Sequence, residues 1–175
     1  ACAILIYLWV ADELSVDKFH EKDSQLFQVM TNQIRPDDIV TLGEGPGQLA
    51  DELPKEFPEI EIAVGSSGIG EKFTIAVPGK KITASGQLAG KSFFEMFSYP
   101  LIHGDKERVL NDKNAVVISE KLSMTLFNTS DDVIGKMIEW QIGTYMQESI
   151  VSGVFSNVPV NSSNQFDFDM SYELN

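Results

Sequence analysis

The chain has 175 residues, 43% of them hydrophobic, enough for one ordinary domain or two small subdomains with a real core, so disorder is not the default. Its 26 acidic residues against 13 basic ones give a net charge of −13, a surface that repels phosphate backbones and anionic headgroups and excludes nucleic acid as a partner. A single cysteine, Cys2, rules out an intramolecular disulfide and a cysteine-based metal site and leaves the redox compartment open.

Residues Ala1 to Ala11 read ACAILIYLWVA, without a charge, and the next stretch, DELSVDKFH, is abruptly polar. As a helix the run spans roughly 16 Å, about half of a hydrocarbon layer of about 30 Å. It suits the outer half of a membrane helix, with Tyr7 and Trp9 at headgroup level and Asp12 and Glu13 at the first step into water. A buried core helix has the same pattern, and both readings stand on the residues alone. A signal peptide does not fit: there is no basic leader, and Asp12-Glu13 replaces a small-residue cleavage site. The missing initiator Met predicts a segment of a longer chain.

Ser15 is positioned to cap a continuation of this helix to about Asp23, with Val16 and Phe19 on one face. Leu26 to Ile34 alternates as a strand ended by Arg35-Pro36-Asp37-Asp38. Pro46, followed by Leu49, Leu53 and Phe57, predicts a helix over 46–57 thinned by Pro54. The alternation of Ile60, Ile62 and Val64 predicts a second strand, making Leu26 to Val64 a βαβ unit closed by a loop at Gly65 to Gly70.

Lys72 to Val77 and Lys81 to Leu88 flank Pro78-Gly79 and predict a hairpin, followed by the aromatic run KSFFEMFSYPLIHGD at 91–105. Ala115 to Ile118 reads as a short strand, with Ser119 capping a helix that carries Leu122, Met124, Leu126 and Phe127. Alternation returns over Val133 to Phe155, and Gln165 to Leu174 predicts a last strand.

Motifs that could carry chemistry fail in detail. In Gly65 to Lys72, GSSGIGEK, the lysine is one position late for a phosphate loop, and Phe73 replaces the magnesium-binding hydroxyl. Ser15-Val16-Asp17-Lys18 has the Ser-x-x-Lys spacing of acyl-enzymes but no companion element, so a helix cap is the reading. His20 and His103 have no second ligand at metal spacing, and no Gly-x-Ser-x-Gly elbow accompanies them. Asp167 and Asp169 share a strand face opposite Phe166 and Phe168, which reads as a solvated face and is too little for calcium. No catalytic, cofactor-binding or metal-binding residues are predicted.

Six segments in order, DELSVDKFHEKDSQLFQV from Asp12, LPKEFPEIE from Leu53, FFEMFSYPLIHGD from Phe93, AVVISEKLSMTLF from Ala115, DVIGKMI from Asp132 and VSGVFSNVPVNSSNQFDFDMS from Val151, resemble the extracytoplasmic domain of MacB-like and FtsX-like ABC transporter permeases. The resemblance covers essentially the whole chain. It implies an α+β domain between the first and second membrane helices, facing the periplasm from the bacterial inner membrane. Residues 1–24 would be the end of the first membrane helix and a stalk. Residues 25–66 with 148–175 would form a porter-like βαβ subdomain, and 67–147 an inserted, smaller, strand-rich one.

No ATP-binding motif is present, so the resemblance implies an ATPase on another domain or subunit. The other partners it implies are a second permease copy and a periplasmic adaptor or outer-membrane component. Motion driven by ATP would reach this domain through Tyr7, Trp9, Asp12, Glu13 and Phe19, a role assigned by position. Relatives move or release macrolides, peptides or lipoproteins, and nothing in these residues selects among them. The alternatives are a standalone secreted binding or adhesion module, or a secreted enzyme built around His103. Insertion between adjacent membrane helices further predicts that Ser15 and Tyr172 lie at the same end of the domain.

Overall fold

Short alternating segments separated by tight turns can bury apolar surface only by pairing as strands. The computed structural model, which describes residues 2–172, is accordingly organised round one sheet. In chain order its elements are α1 (Cys2–Ser15), β1 (Thr31–Ile34), β2 (Ile39–Leu42), α2 (Leu49–Glu56), β3 (Ser66–Val77), β4 (Lys80–Ala89), α3 (Phe93–Met96), β5 (Leu101–His103), β6 (Ala115–Ser119), α4 (Glu120–Phe127), β7 (Met137–Ile142), β8 (Tyr145–Phe155) and β9 (Phe168–Ser171).

The strands run β5-β8-β6-β9-β4-β3-β7, and β7 pairs again with β8, so the sheet closes into a barrel with β5 as an outer edge. The length of β8 permits this: residues 145–150 pair with β7, residues 150–155 with β6, and its far end with β5. Both β4–β9 and β6–β8 are parallel, and the remaining pairs are antiparallel. The architecture is α+β, with helices flanking a strand-rich barrel.

Two apolar layers follow from the alternation along these strands. Phe73, Ile75, Val116, Ile118, Trp140 and Phe168 fill the barrel. Val117 and Phe155 point the other way, to an outer layer with Phe93, Phe94, Tyr99 and Phe166. Strands between these layers are covered on both faces, as parallel strands usually are. Each fully buried side chain of this size contributes about 1.5–3 kcal/mol.

Turn and cap chemistry places the hairpin predicted at Pro78-Gly79 and the helix predicted after Ser119. Gly79, at φ +80°, takes the left-handed corner between β3 and β4. Ser119 Oγ accepts the Leu122 N–H at 3.1 Å and starts α4, and Asn128 at φ +59° ends it.

The βαβ unit expected over 26–64 is corrected. Arg35-Pro36-Asp37-Asp38 is a hairpin turn closed by Arg35 N–H to the Asp38 carbonyl at 2.8 Å, and it folds β1 back onto β2 as an isolated two-stranded ladder. Leu26–Met30 and Ile60–Val64 join no ladder: their alternation is a local signal, and a strand also needs a partner. The predicted loop at 65–70 is instead the start of β3, where a bulge between Ser67 and Glu71 includes Gly68 and Gly70 at positive φ. Strands β8 and β9, which the resemblance groups with residues 25–66, are hydrogen-bonded to β6, β7 and β4. The last strand is Phe168–Ser171, and the predicted extension over 173–174 lies outside the described residues.

Candidate functional site

α1 carries no Gly or Pro among its 14 residues, and none of them is buried. At about 21 Å it is shorter than a hydrocarbon layer of about 30 Å. Among the described residues no helix is long and apolar enough to cross a membrane. Tyr7 is 71% and Trp9 64% exposed, and Asp12 and Glu13 are exposed as well. Phe19 alone of the predicted stalk residues packs against the body, half-buried beside the outer layer.

The helix does not run on to Asp23. Ser15 Oγ turns back to donate to the Asp12 carbonyl at 2.7 Å, and Asp17 adopts φ +58°, a left-handed conformation that a continuing helix cannot accommodate. That turn aims Asp17 at the segment preceding β9. Ser163 donates its backbone N–H to Asp17 Oδ1 at 2.9 Å and its hydroxyl to Oδ2, and Ser162 Oγ lies 3.3 Å from Oδ1. The backbones also join: Asp17 N–H donates to the Asn161 carbonyl at 3.0 Å, and Asn161 Nδ2 to the Ser15 carbonyl at 2.8 Å. Burial alone would raise the Asp17 carboxyl, but the hydrogen bonds from Ser163 and Ser162, with His20 nearby, outweigh it and hold the group below its ordinary value.

His20 makes the second half of the joint. Its Nδ1 accepts the Ser98 N–H at 3.2 Å, which fixes the neutral ring with its proton on Nε2, and Ser98 Oγ accepts the Glu21 N–H at 3.0 Å. Phe19, Phe97 and Tyr99 surround the ring at centroid distances of 4.0, 5.3 and 5.3 Å. Burial lowers the His20 pKa, against the opposing charges of Asp17 and Asp23. The Tyr99 hydroxyl lies 3.4 Å from Ser162 Oγ and links the two halves.

Phe19 packs on the outer apolar layer, and Ala89, a member of the same layer, accepts the Tyr172 N–H at 2.9 Å.

Ser15 and Lys18, the members of the Ser-x-x-Lys string, are engaged elsewhere, Ser15 with the Asp12 carbonyl and Lys18 with Asp23. His103 pairs with Asp131 at 3.1 Å on the surface. Among the described residues no three His, Cys, Asp or Glu side chains converge as a metal site. The solvated-face reading of Asp169 is corrected. Asp167 is half-buried and accepts the Ser85 N–H at 3.0 Å, whereas Asp169 is wholly buried beneath the outer layer. Burial raises the Asp169 carboxyl well above its ordinary value, against hydrogen bonds from Gln87 and the Met170 backbone.

The residues that build the joint, Asp17, His20, Ser98 and Asn161 to Ser163, are different from the predicted stalk residues Tyr7, Trp9, Asp12, Glu13 and Phe19. The available signal was the small polar run Asn161-Ser162-Ser163-Asn164 after Pro159, a composition suited to accepting and donating at a chain crossing.

The sequence profile described as the MacB-like periplasmic core domain matches residues 1–172. Among solved structures, the chain is similar to a domain assigned to a permease protein from Porphyromonas gingivalis, with 25% identity and a TM-score of 0.63, covering 75% of this chain and 59% of that one. The chain thus spans less than two thirds of that relative's length. Weaker likenesses are to the periplasmic region of MacB from Actinobacillus actinomycetemcomitans, at 19% identity and TM-score 0.44 over 72% of this chain and 64% of that one, and to the extracellular domain of the noncanonic ABC-type transporter YknZ from Gram-positive bacteria, at 16% identity and TM-score 0.44 over 62% and 53%. Among curated proteins, none matches this sequence.

Proposed function

The chain belongs to the MacB-like periplasmic core domain family, and on that premise we propose that it is the periplasmic part of a bacterial inner-membrane ABC transporter permease and passes motion from the membrane helices to a periplasmic substrate or adaptor. The observation that carries this reading is the exposed apolar α1, locked through Asp17 to the segment that feeds the last strand. A part that transmits force needs a stiff lever and a firm joint, and requires no nucleophile of its own.

In this reading α1 is the outer end of the first membrane helix. Tyr7 and Trp9 sit at headgroup level, Asp12 and Glu13 mark the water side, and Phe19 seats the lever on the barrel. The hairpin β1–β2 shares no ladder with the barrel sheet. An ATPase on another domain or subunit drives the motion, and a second permease copy completes the assembly.

Cysteine accessibility in the full permease tests the placement. With Cys2 replaced by Ser, single cysteines at Leu5, Trp9, Lys22 and Glu61 are treated with a membrane-impermeant maleimide in cells with a permeabilised outer membrane. Labelling at 22 and 61 but not at 5 and 9 is expected. Labelling at 22 and 61 only after the inner membrane is broken overturns the periplasmic placement, and equal labelling at all four overturns the membrane role of α1.

A further inference from the structure

From the joint at Asp17 a line of polar contacts, with Asn164 as one of its members, continues under the outer layer. Ser162 Oγ has one proton, shared between two acceptors, Asp17 Oδ1 at 3.3 Å and the Asn164 carbonyl at 3.1 Å. Asn164 Nδ2 donates to Gln87 Oε1 at 2.8 Å, and Gln87 Nε2 donates to Asp169 Oδ2 at 3.3 Å. Gln87 and Asp169 are register partners across β4 and β9, and both are wholly buried.

Packing does not explain this line. Apolar residues could occupy positions 87 and 169 without the desolvation that a buried amide and carboxyl incur. The site even leaves Asn164 Oδ1 and Asp169 Oδ1 buried with no hydrogen-bond partner among the described residues. What the line does have is direction. It begins at the turn that ends α1, passes through the segment that crosses that turn, and ends on the neighbouring barrel strands β4 and β9.

At the surface end, where Ser163 donates to Asp17, water can replace a lost partner; at the buried end a donor withdrawn from its acceptor has no water to turn to, so the Gln87–Asp169 bond is either made or broken. A shift of α1 moves Asp17, and Ser162 and Ser163 move with it. Asn164 must then carry Gln87 along or leave its Oε1 without a donor. We propose that Asp17, Ser162, Asn164, Gln87 and Asp169 form one positioning relay that ties the seating of α1 to the pairing of β4 with β9. The proposal rests on the reading of the domain as a transmitter of motion and names the side chains through which the motion passes.

The test is amide hydrogen exchange on the full permease assembled with its ATPase in lipid nanodiscs, followed at β9 in Asp17→Ala, Gln87→Met and the double variant. Each single variant is expected to speed exchange at β9 by about fivefold, and the double variant by no more than the larger single effect. Effects of Asp17→Ala confined to residues 15–20 and 161–163, or single effects that multiply in the double variant, overturn the relay. If Asp17→Ala does not assemble, Ser162→Ala, which removes one hydroxyl, takes its place under the same criteria. A non-hydrolysable ATP analogue is expected to change β9 exchange in the wild type. No change overturns the transmission reading, whereas non-additivity between Asp17 and Gln87 still decides the relay.

Discussion

Ser163 donates its backbone N–H to Asp17 Oδ1 at 2.9 Å across a sequence separation of 146, so the first turn after α1 and the approach to the last strand are one joint. The carboxylate takes both the backbone N–H and the hydroxyl of Ser163, with Ser162 Oγ 3.3 Å from Oδ1.

Asp17→Asn removes that charge and is expected to cost about 1–2 kcal/mol at neutral pH, read as a lower urea midpoint. The folded-state pKa is depressed, so the contribution is present above the unfolded value and is lost as pH falls through the folded one. The difference between wild type and variant should therefore shrink only in strongly acidic buffer. A difference that stays constant into acid would show that the charge of Asp17 is not what holds the joint.

His20 should impose a second, milder acid sensitivity. Its pKa is lowered in the fold, so its stabilising contribution is full above the unfolded value near 6.5 and declines as pH falls through that value towards the folded one. Protonation at Nδ1 also breaks the bond from Ser98 N–H. Between about pH 7 and pH 5 the wild type is expected to lose stability while His20→Phe stays flat, measured by chemical denaturation at each pH. Parallel curves would remove the histidine from the joint.

Asp169→Asn is expected to stabilise the domain. Burial raises the carboxyl's folded-state pKa, so its contribution is present below the unfolded value and lost as pH rises through the folded one. The variant should exceed wild type in thermal midpoint at about pH 8 and converge with it near about pH 4. An Asn variant less stable than wild type at both pH values would mean that the ionised carboxylate is needed.

Gly86 faces Phe168 in register across β4–β9, and a Cβ built at position 86 would lie 2.2 Å from the ring Cζ. Gly86→Ala should destabilise the barrel by about 3 kcal/mol, seen as a lower thermal midpoint. Adding Phe168→Leu should recover part of the loss. Gly86→Ala with an unchanged midpoint would refute the packing described for this pair.

Trp9 is exposed, whereas Trp140 is buried with its Nε1–H donated to Ser149 Oγ at 3.0 Å. Zwitterionic vesicles should therefore blue-shift the fluorescence through Trp9 alone, because the net charge of −13 opposes anionic ones. The shift is expected to survive Trp140→Phe and to vanish in Trp9→Phe. A shift that survives Trp9→Phe would take the lipid contact away from α1.

The amino-acid order by itself determined whatever neighbouring residues decide together. An apolar run free of Gly and Pro makes α1, Pro78-Gly79 turns β3 into β4, and the Ser119 hydroxyl caps α4. Each is a contest among conformations a few residues long. The family was legible too, because six short segments kept their order. What only the tertiary structure decided depends on partners far along the chain. Ile60 to Val64 alternates as well as any strand but finds no ladder, whereas Phe168 to Ser171 lies between β4 and β6 with both faces covered. Asp169 is buried for that reason, since alternation distinguishes the two faces of a strand but not which of them will be covered. The Asp17 joint was hidden for the same reason: its serines lie at the other end of the chain, and only the closed barrel brings them to α1.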